Sequence, residues 1–146
     1  MNWRKEAVND LKEYKYLQAY VESYPDLLEE LDARMTRVRS GKDEQTPVSG
    51  GGGTRVEDEW LSCIVKKDRL KSQHLERWTR FQRLKGALSI LPPEERLVLE
   101  YFYIDRPKNH VDRLCDQLGY EKSQVYRLKD EALKNLTIAL YGIESG

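Results

Sequence analysis

Between Lys122 and Arg127 the chain carries an ammonium, a hydroxyl, a carboxamide, a phenol and a guanidinium (Lys122, Ser123, Gln124, Tyr126, Arg127). Their shared chemistry is directional hydrogen bonding: arginine offers a planar fork of donors, and glutamine a donor beside an acceptor. The residue they leave out, Val125, is apolar and recurs with Leu128, Ala132 and Leu136 at helical steps. The polar five therefore stand on the outer side of a helix. Upstream, Leu114 and Leu118 fall on the inner face of a preceding helix, and Cys115 is small where two steeply crossing helices approach. Gly119 between them can adopt the left-handed conformation that ends a helix without steric cost. Two short helices joined by a glycine bend, Val111 to Asp130, make a helix-turn-helix, whose second helix meets base edges in a DNA major groove. Arg127 suits paired bonds to guanine and Gln124 to adenine. Tyr126 suits a phosphate or a thymine methyl, and Lys122 and Ser123 share that reach. Arg106, Lys108, Arg113 and Lys134 are the candidates for DNA backbone phosphates. A helical hairpin that touches only protein uses the same glycine turn, and that alternative stays open.

The electrostatics temper the expected affinity. The formal net charge of the chain is +0, so attraction to DNA must come from local patches. Residues 120–135 hold four basic and three acidic side chains, which leaves the reading helix almost neutral. The strongest asymmetry lies elsewhere: eight basic and two acidic side chains between Lys66 and Lys85. That run is either a solvated helix face or a nonspecific phosphate contact.

Residues 91–136 resemble the fourth region of bacterial sigma factors. Leu91, Pro92, Glu95, Arg96, Val98, Leu114, Leu118, Gly119, Val125, Ala132 and Leu133 sit where that pattern has them. The full chain is similar to small phage transcriptional regulators of the ArpU type, through Tyr126-Arg127-Leu128, Ala132-Leu133 and Leu140-Tyr141-Gly142. The resemblance implies promoter binding through residues 122–127. It departs from the family at Glu121, where sigma modules usually place a Ser or Thr helix cap.

The elements that would position this head are all helical. Residues 1–40 are expected to form two helices broken near Pro25, since proline lacks an amide proton and disfavours helical geometry in Tyr24. Residues 41–54, with four consecutive glycines, read as a flexible linker. Residues 55–91 read as one helix of about 55 Å, with an apolar stripe through Val56, Trp60, Ile64, Leu70, Leu75, Trp78, Phe81, Leu84, Leu88 and Leu91. Residues 92–142 hold the helix-turn-helix module, with Pro93 opening its first helix, Asn109 capping the next and Gly142 ending the last. The fold class expected is all-α, a long helical hairpin arm plus a C-terminal sigma region 4-like bundle.

Hydrophobic residues make up 39% and charged residues 34% of the chain, a balance that fits elongated helices better than a large globule. Cys63 and Cys115 lack metal-type spacing, and His74 stands without a partner motif. No catalytic residues, metal or cofactor are expected, and the chain is not read as an enzyme. No leader or membrane span is legible, so the expected location is cytoplasmic. The expected partners are double-stranded DNA, RNA polymerase, and a second copy through the N-terminal helices. The function expected is a sequence-specific transcriptional regulator, phage or prophage encoded. Two other readings are a small terminase-like packaging protein and a helical protein–protein adaptor.

Overall fold

A computed structural model describes residues 1–40 and 52–143. The described residues are all-α: α1 (Trp3–Ser40), α2 (Gly52–Ser89), α3 (Pro93–Leu99), α4 (His110–Leu118) and α5 (Lys122–Tyr141), with a π-helical turn, Glu100–Ile104, continuing α3. The linker expected at 41–54 lies outside the described residues as far as 51. Gly52 and Gly53 already belong to α2, against the expectation that the linker extends to residue 54. Glycine is worse than alanine by about 1 kcal/mol per helical position, a cost that a long helix propagating from its far end absorbs.

The expected break at Pro25 does not occur: α1 runs through it as one helix. An interior proline costs about 3 kcal/mol through a lost hydrogen bond and a clash with the preceding turn. Tertiary packing opposes that cost on both sides. Tyr24 stacks on His74 of α2 with ring centres 3.4 Å apart and planes 5° from parallel, and Leu31 is buried beyond the proline.

The chain divides into two compact units, Met1–Ala19 with Thr79–Gly146, and Tyr20–Trp78. In the first, one apolar cluster joins Ala7 and Leu11 of α1, Leu84 of α2, Leu91 between α2 and α3, Val98 and Leu99 of α3, Phe102 of the π-helical turn, Leu114 of α4, and Val125, Leu136 and Leu140 of α5. The sequence reading kept residues 1–40 apart from the module at 92–142. In the structure, the first turns of α1 pack into that module's core. Polar contacts fasten the same junction. The Tyr141 hydroxyl donates to Asp10, Arg83 donates to the Leu140 carbonyl at the end of α5, and Trp3 lies 5.0 Å from the Tyr141 ring. Burial, and then the Asp10 carboxylate, push the Tyr141 hydroxyl well above the usual tyrosine range. Inside the module, buried Glu95 accepts from Asn135 Nδ2 at 2.7 Å, which ties α3 to α5.

In the second unit the two helices run antiparallel, and α2 presents Trp60, Cys63, Lys67, Leu70, His74 and Arg77 inward, all buried or half-buried. Their alternating steps of three and four residues are a heptad seam. This differs from the apolar stripe expected from sequence: Leu75 is 68% and Trp78 44% exposed. The seam accepts polar side chains because each meets a partner on α1. Lys67 Nζ sits 2.5 Å from Asp32 Oδ1, and the Arg77 guanidinium lies 4.7 Å from the centre of the Tyr20 ring. Arg34 and Glu59 add an ion pair at 2.7 Å.

Candidate nucleic-acid interface

The bend between α4 and α5 is set by one residue. Gly119 takes φ +71° and ψ +30°, and the Gly119 and Tyr120 amides both bond to the Cys115 carbonyl, at 2.9 and 3.2 Å. This closes the last turn of α4 in the left-handed manner typical of glycine. Leu114 and Val125 are fully buried on either side of the bend, and Leu118, Tyr120 and Leu128 pack against the same core. The Tyr120 hydroxyl donates to Glu94 Oε2 at 2.9 Å, which pins the bend to α3 and raises the Tyr120 pKa.

With Val125 turned inward, the front of α5 faces out. Lys122, Ser123, Gln124, Tyr126 and Arg127 are all exposed. Their present engagements differ. Arg127 Nε makes a long 3.4 Å bond to the Ser123 carbonyl, which does not use the terminal amino groups that a guanine edge would take. Lys122 lies 3.7 Å from Asp112, a solvent-exposed pair of the kind worth about 0–1 kcal/mol.

Gln124 has a structural task that the sequence reading did not give it. Its Oε1 accepts the Glu121 amide at 2.8 Å, while Glu121 adopts an extended backbone at the start of α5. This is the reciprocal half of a capping box, with the N3 side chain reaching back to the N-cap. Pairing with adenine uses both ends of the amide group, so Gln124 would read a base in that way with one lone pair of Oε1 already engaged. Replacing Gln124 by alanine should therefore destabilise the protein by roughly 0.3–1.5 kcal/mol. Gln124→Glu, which keeps the acceptor, should restore most of that loss in thermal denaturation.

The backbone-contact candidates are spread around this front. Arg106 donates to the Phe102 carbonyl at 3.2 Å, which satisfies a carbonyl of the π-helical turn. Lys108 and Arg113 are exposed before and within α4, and Lys134 is half-buried two turns beyond Arg127. Between them stands Asn109, the non-glycine residue found with positive φ among the described residues, at +55°. Its position at the start of α4 matches the expectation, but its side chain makes no capping bond. Asparagine is among the residues that best tolerate this conformation.

Part of the basic run at Lys66–Lys85 is engaged inside each unit. Beside the Lys67 and Arg77 contacts of the second unit, in the first unit Arg80 bonds Asp10 at 2.8 Å and Glu13 at 2.7 Å, and Arg83 is held at Tyr141. The hydrogen bond to Asp10 is the main reason the Arg80 pKa is raised. Lys66, Arg69 and Lys71 are exposed, as are Arg80, Arg83 and Lys85.

A neighbour that sequence reasoning did not single out is Lys129. Its ammonium lies 5.8 Å from the Phe102 ring centre and 6.0 Å from that of Tyr126, and 2.9 Å from Asp130. Burial works against its charge, but the Asp130 hydrogen bond and the nearby Tyr103 and Tyr126 outweigh it, so its pKa is raised. The amphipathic spacing of α5 marks Lys129 as flanking, but nothing in the sequence shows that a ring from another helix would meet it.

A family profile described as protein of unknown function (DUF1492) matches residues 37–137. The chain belongs to the DUF1492 family. The DUF1492 match takes in α2, the whole α4–Gly119–α5 bend and most of α5, and leaves out Ala7 and Leu11, which complete the core beneath that bend. No curated protein and no solved structure matches the chain. Among the described residues, no helix is long and apolar enough to cross a membrane.

Proposed function

We propose that this DUF1492 protein is a sequence-specific DNA-binding transcriptional regulator, phage or prophage encoded, that lays the first turns of α5 in the major groove of promoter DNA. The observation that carries the reading is the division of labour across six residues. Val125 is fully buried against the left-handed bend, while Lys122, Ser123, Gln124, Tyr126 and Arg127 are all exposed. A helix with its inner side locked and its front polar and open is what base-edge reading requires. The resemblance of residues 91–136 to sigma region 4 and of the chain to ArpU-type regulators supports the same reading. Arg106, Lys108, Arg113 and Lys134 are assigned to backbone phosphates in this reading, and RNA polymerase and a second copy of the chain are its further partners.

The test is selection of bound duplexes from a random pool, followed by footprinting on the selected site with and without RNA polymerase. A recovered consensus supports the proposal; retention of no duplex over competitor DNA rejects it. Within that assay, Arg127→Ala should weaken binding to the preferred site by about 1–3 kcal/mol and flatten preference at one or two base pairs. An equal loss on random duplex would assign Arg127 to phosphate instead.

A further inference from the structure

The π-helical turn is the feature of the first unit that the helix-turn-helix geometry alone does not call for. Such turns are rare and are frequent at functional sites. Here the turn closes with a bond from the Asp105 amide to the Glu100 carbonyl at 2.9 Å, five residues apart. A wider turn separates successive side chains by a smaller angle, and Tyr101 and Phe102 both reach neighbouring helices. The Tyr101 hydroxyl accepts from Gln117 of α4 at 2.7 Å. The Phe102 ring meets His110 of α4 edge-on at 4.8 Å, and Tyr126 of α5 edge-on at 5.7 Å. Phe102 is buried, whereas Tyr126 is 47% exposed. Tyr126 is thus an outward-facing aromatic whose ring leans on a buried one, with Lys129 over both.

We infer that Phe102 is a positioning residue for Tyr126: the π-helical turn presents a buried ring that fixes the orientation in which Tyr126 meets a base pair, and so sets preference at that base pair. The inference rests on the DNA-reading proposal above. An exposed tyrosine on a helix ordinarily samples several rotamers, and an edge-to-face partner favours one of them. A ring held in one orientation can separate thymine from cytosine through the thymine methyl, which is an apolar feature of the major-groove edge.

The experiment compares base-preference profiles from selected duplexes for the full chain, Tyr126→Ala, Phe102→Leu and the double variant. Tyr126→Ala identifies the base pair that Tyr126 reads. Phe102→Leu, which keeps an apolar side chain without the ring, should flatten preference at that same base pair on the order of three- to tenfold. It should leave the base pairs read by Arg127 unchanged, and the double variant should add nothing further. Loss spread evenly over all positions would mark Phe102 as merely structural and overturn the inference. Unchanged preference in Phe102→Leu, or no base pair flattened by Tyr126→Ala, would overturn it too. A second measurement needs no substitution at Phe102: in ring-labelled protein bound to the selected duplex, nuclear Overhauser contacts between the Phe102 and Tyr126 rings should persist, and their disappearance would refute it. If the unaltered chain selects no duplex at all, the DNA-reading proposal itself fails, an outcome distinct from each of these.

Discussion

Leu11→Ala should destabilise the unit that carries the helix-turn-helix by about 2–5 kcal/mol, although residue 11 lies more than a hundred positions from the reading helix. Leu11 is fully buried in one apolar cluster with Leu114, Val125 and Leu136. Shortening it removes apolar contacts and leaves a cavity in that cluster. Alanine is the best helix former, so a loss of stability cannot be assigned to weakened helicity in α1. The exposed neighbour gives the control: Lys12→Ala should change stability by no more than about 0.5 kcal/mol. Chemical denaturation followed by circular dichroism would measure both. Equal midpoints for the two variants would show that the start of α1 is not part of this core.

Gly119→Val should be the most disruptive single change in the bend. No atom lies within 4 Å of a Cβ built at Gly119, so the cost is conformational and not a clash with neighbours. At φ +71° an L-residue loses about 1–2 kcal/mol. A β-branched side chain should fall at the upper end of the ~1–3 kcal/mol typical of residues held in sparsely populated backbone regions. Asparagine is among the side-chain-bearing residues that tolerate this region best, so Gly119→Asn should retain most of the stability. The order Gly, Asn, Ala, Val in melting temperature is the expected result. A Gly119→Val variant as stable as the parent would mean that the bend has another conformation.

These two sites also show what the sequence exposed and what it hid. The bend was legible because its demands are local: a glycine, flanking leucines and an inward valine follow from backbone sterics and a 3.6-residue period. The start of α3 and the end of α5 were legible for the same reason, through Pro93 and Gly142. What was hidden depends on partners distant in sequence. Pro25 signals a break only while the stack of Tyr24 on His74 is unknown. The seam of the second unit passes through Lys67, His74 and Arg77, residues that hydropathy assigns to the outside, because Asp32 and two tyrosines meet them. The π-helical turn left no compositional mark, and Phe102 reads as ordinary core until its ring is seen against Tyr126. The roles of Gln124 and Arg106 shifted similarly: each was assigned by chemical type, and each already holds a backbone group of the protein.

The chain leaves the first unit after Ala19 and returns to it at Thr79. In connectivity, then, the unit with the helix-turn-helix is a split domain, and everything between those residues is an insertion within it. A nascent chain must keep Ala7 and Leu11 uncovered until the last helix has been synthesised, so the unit can complete only after translation of α5. Such long-range closure slows assembly.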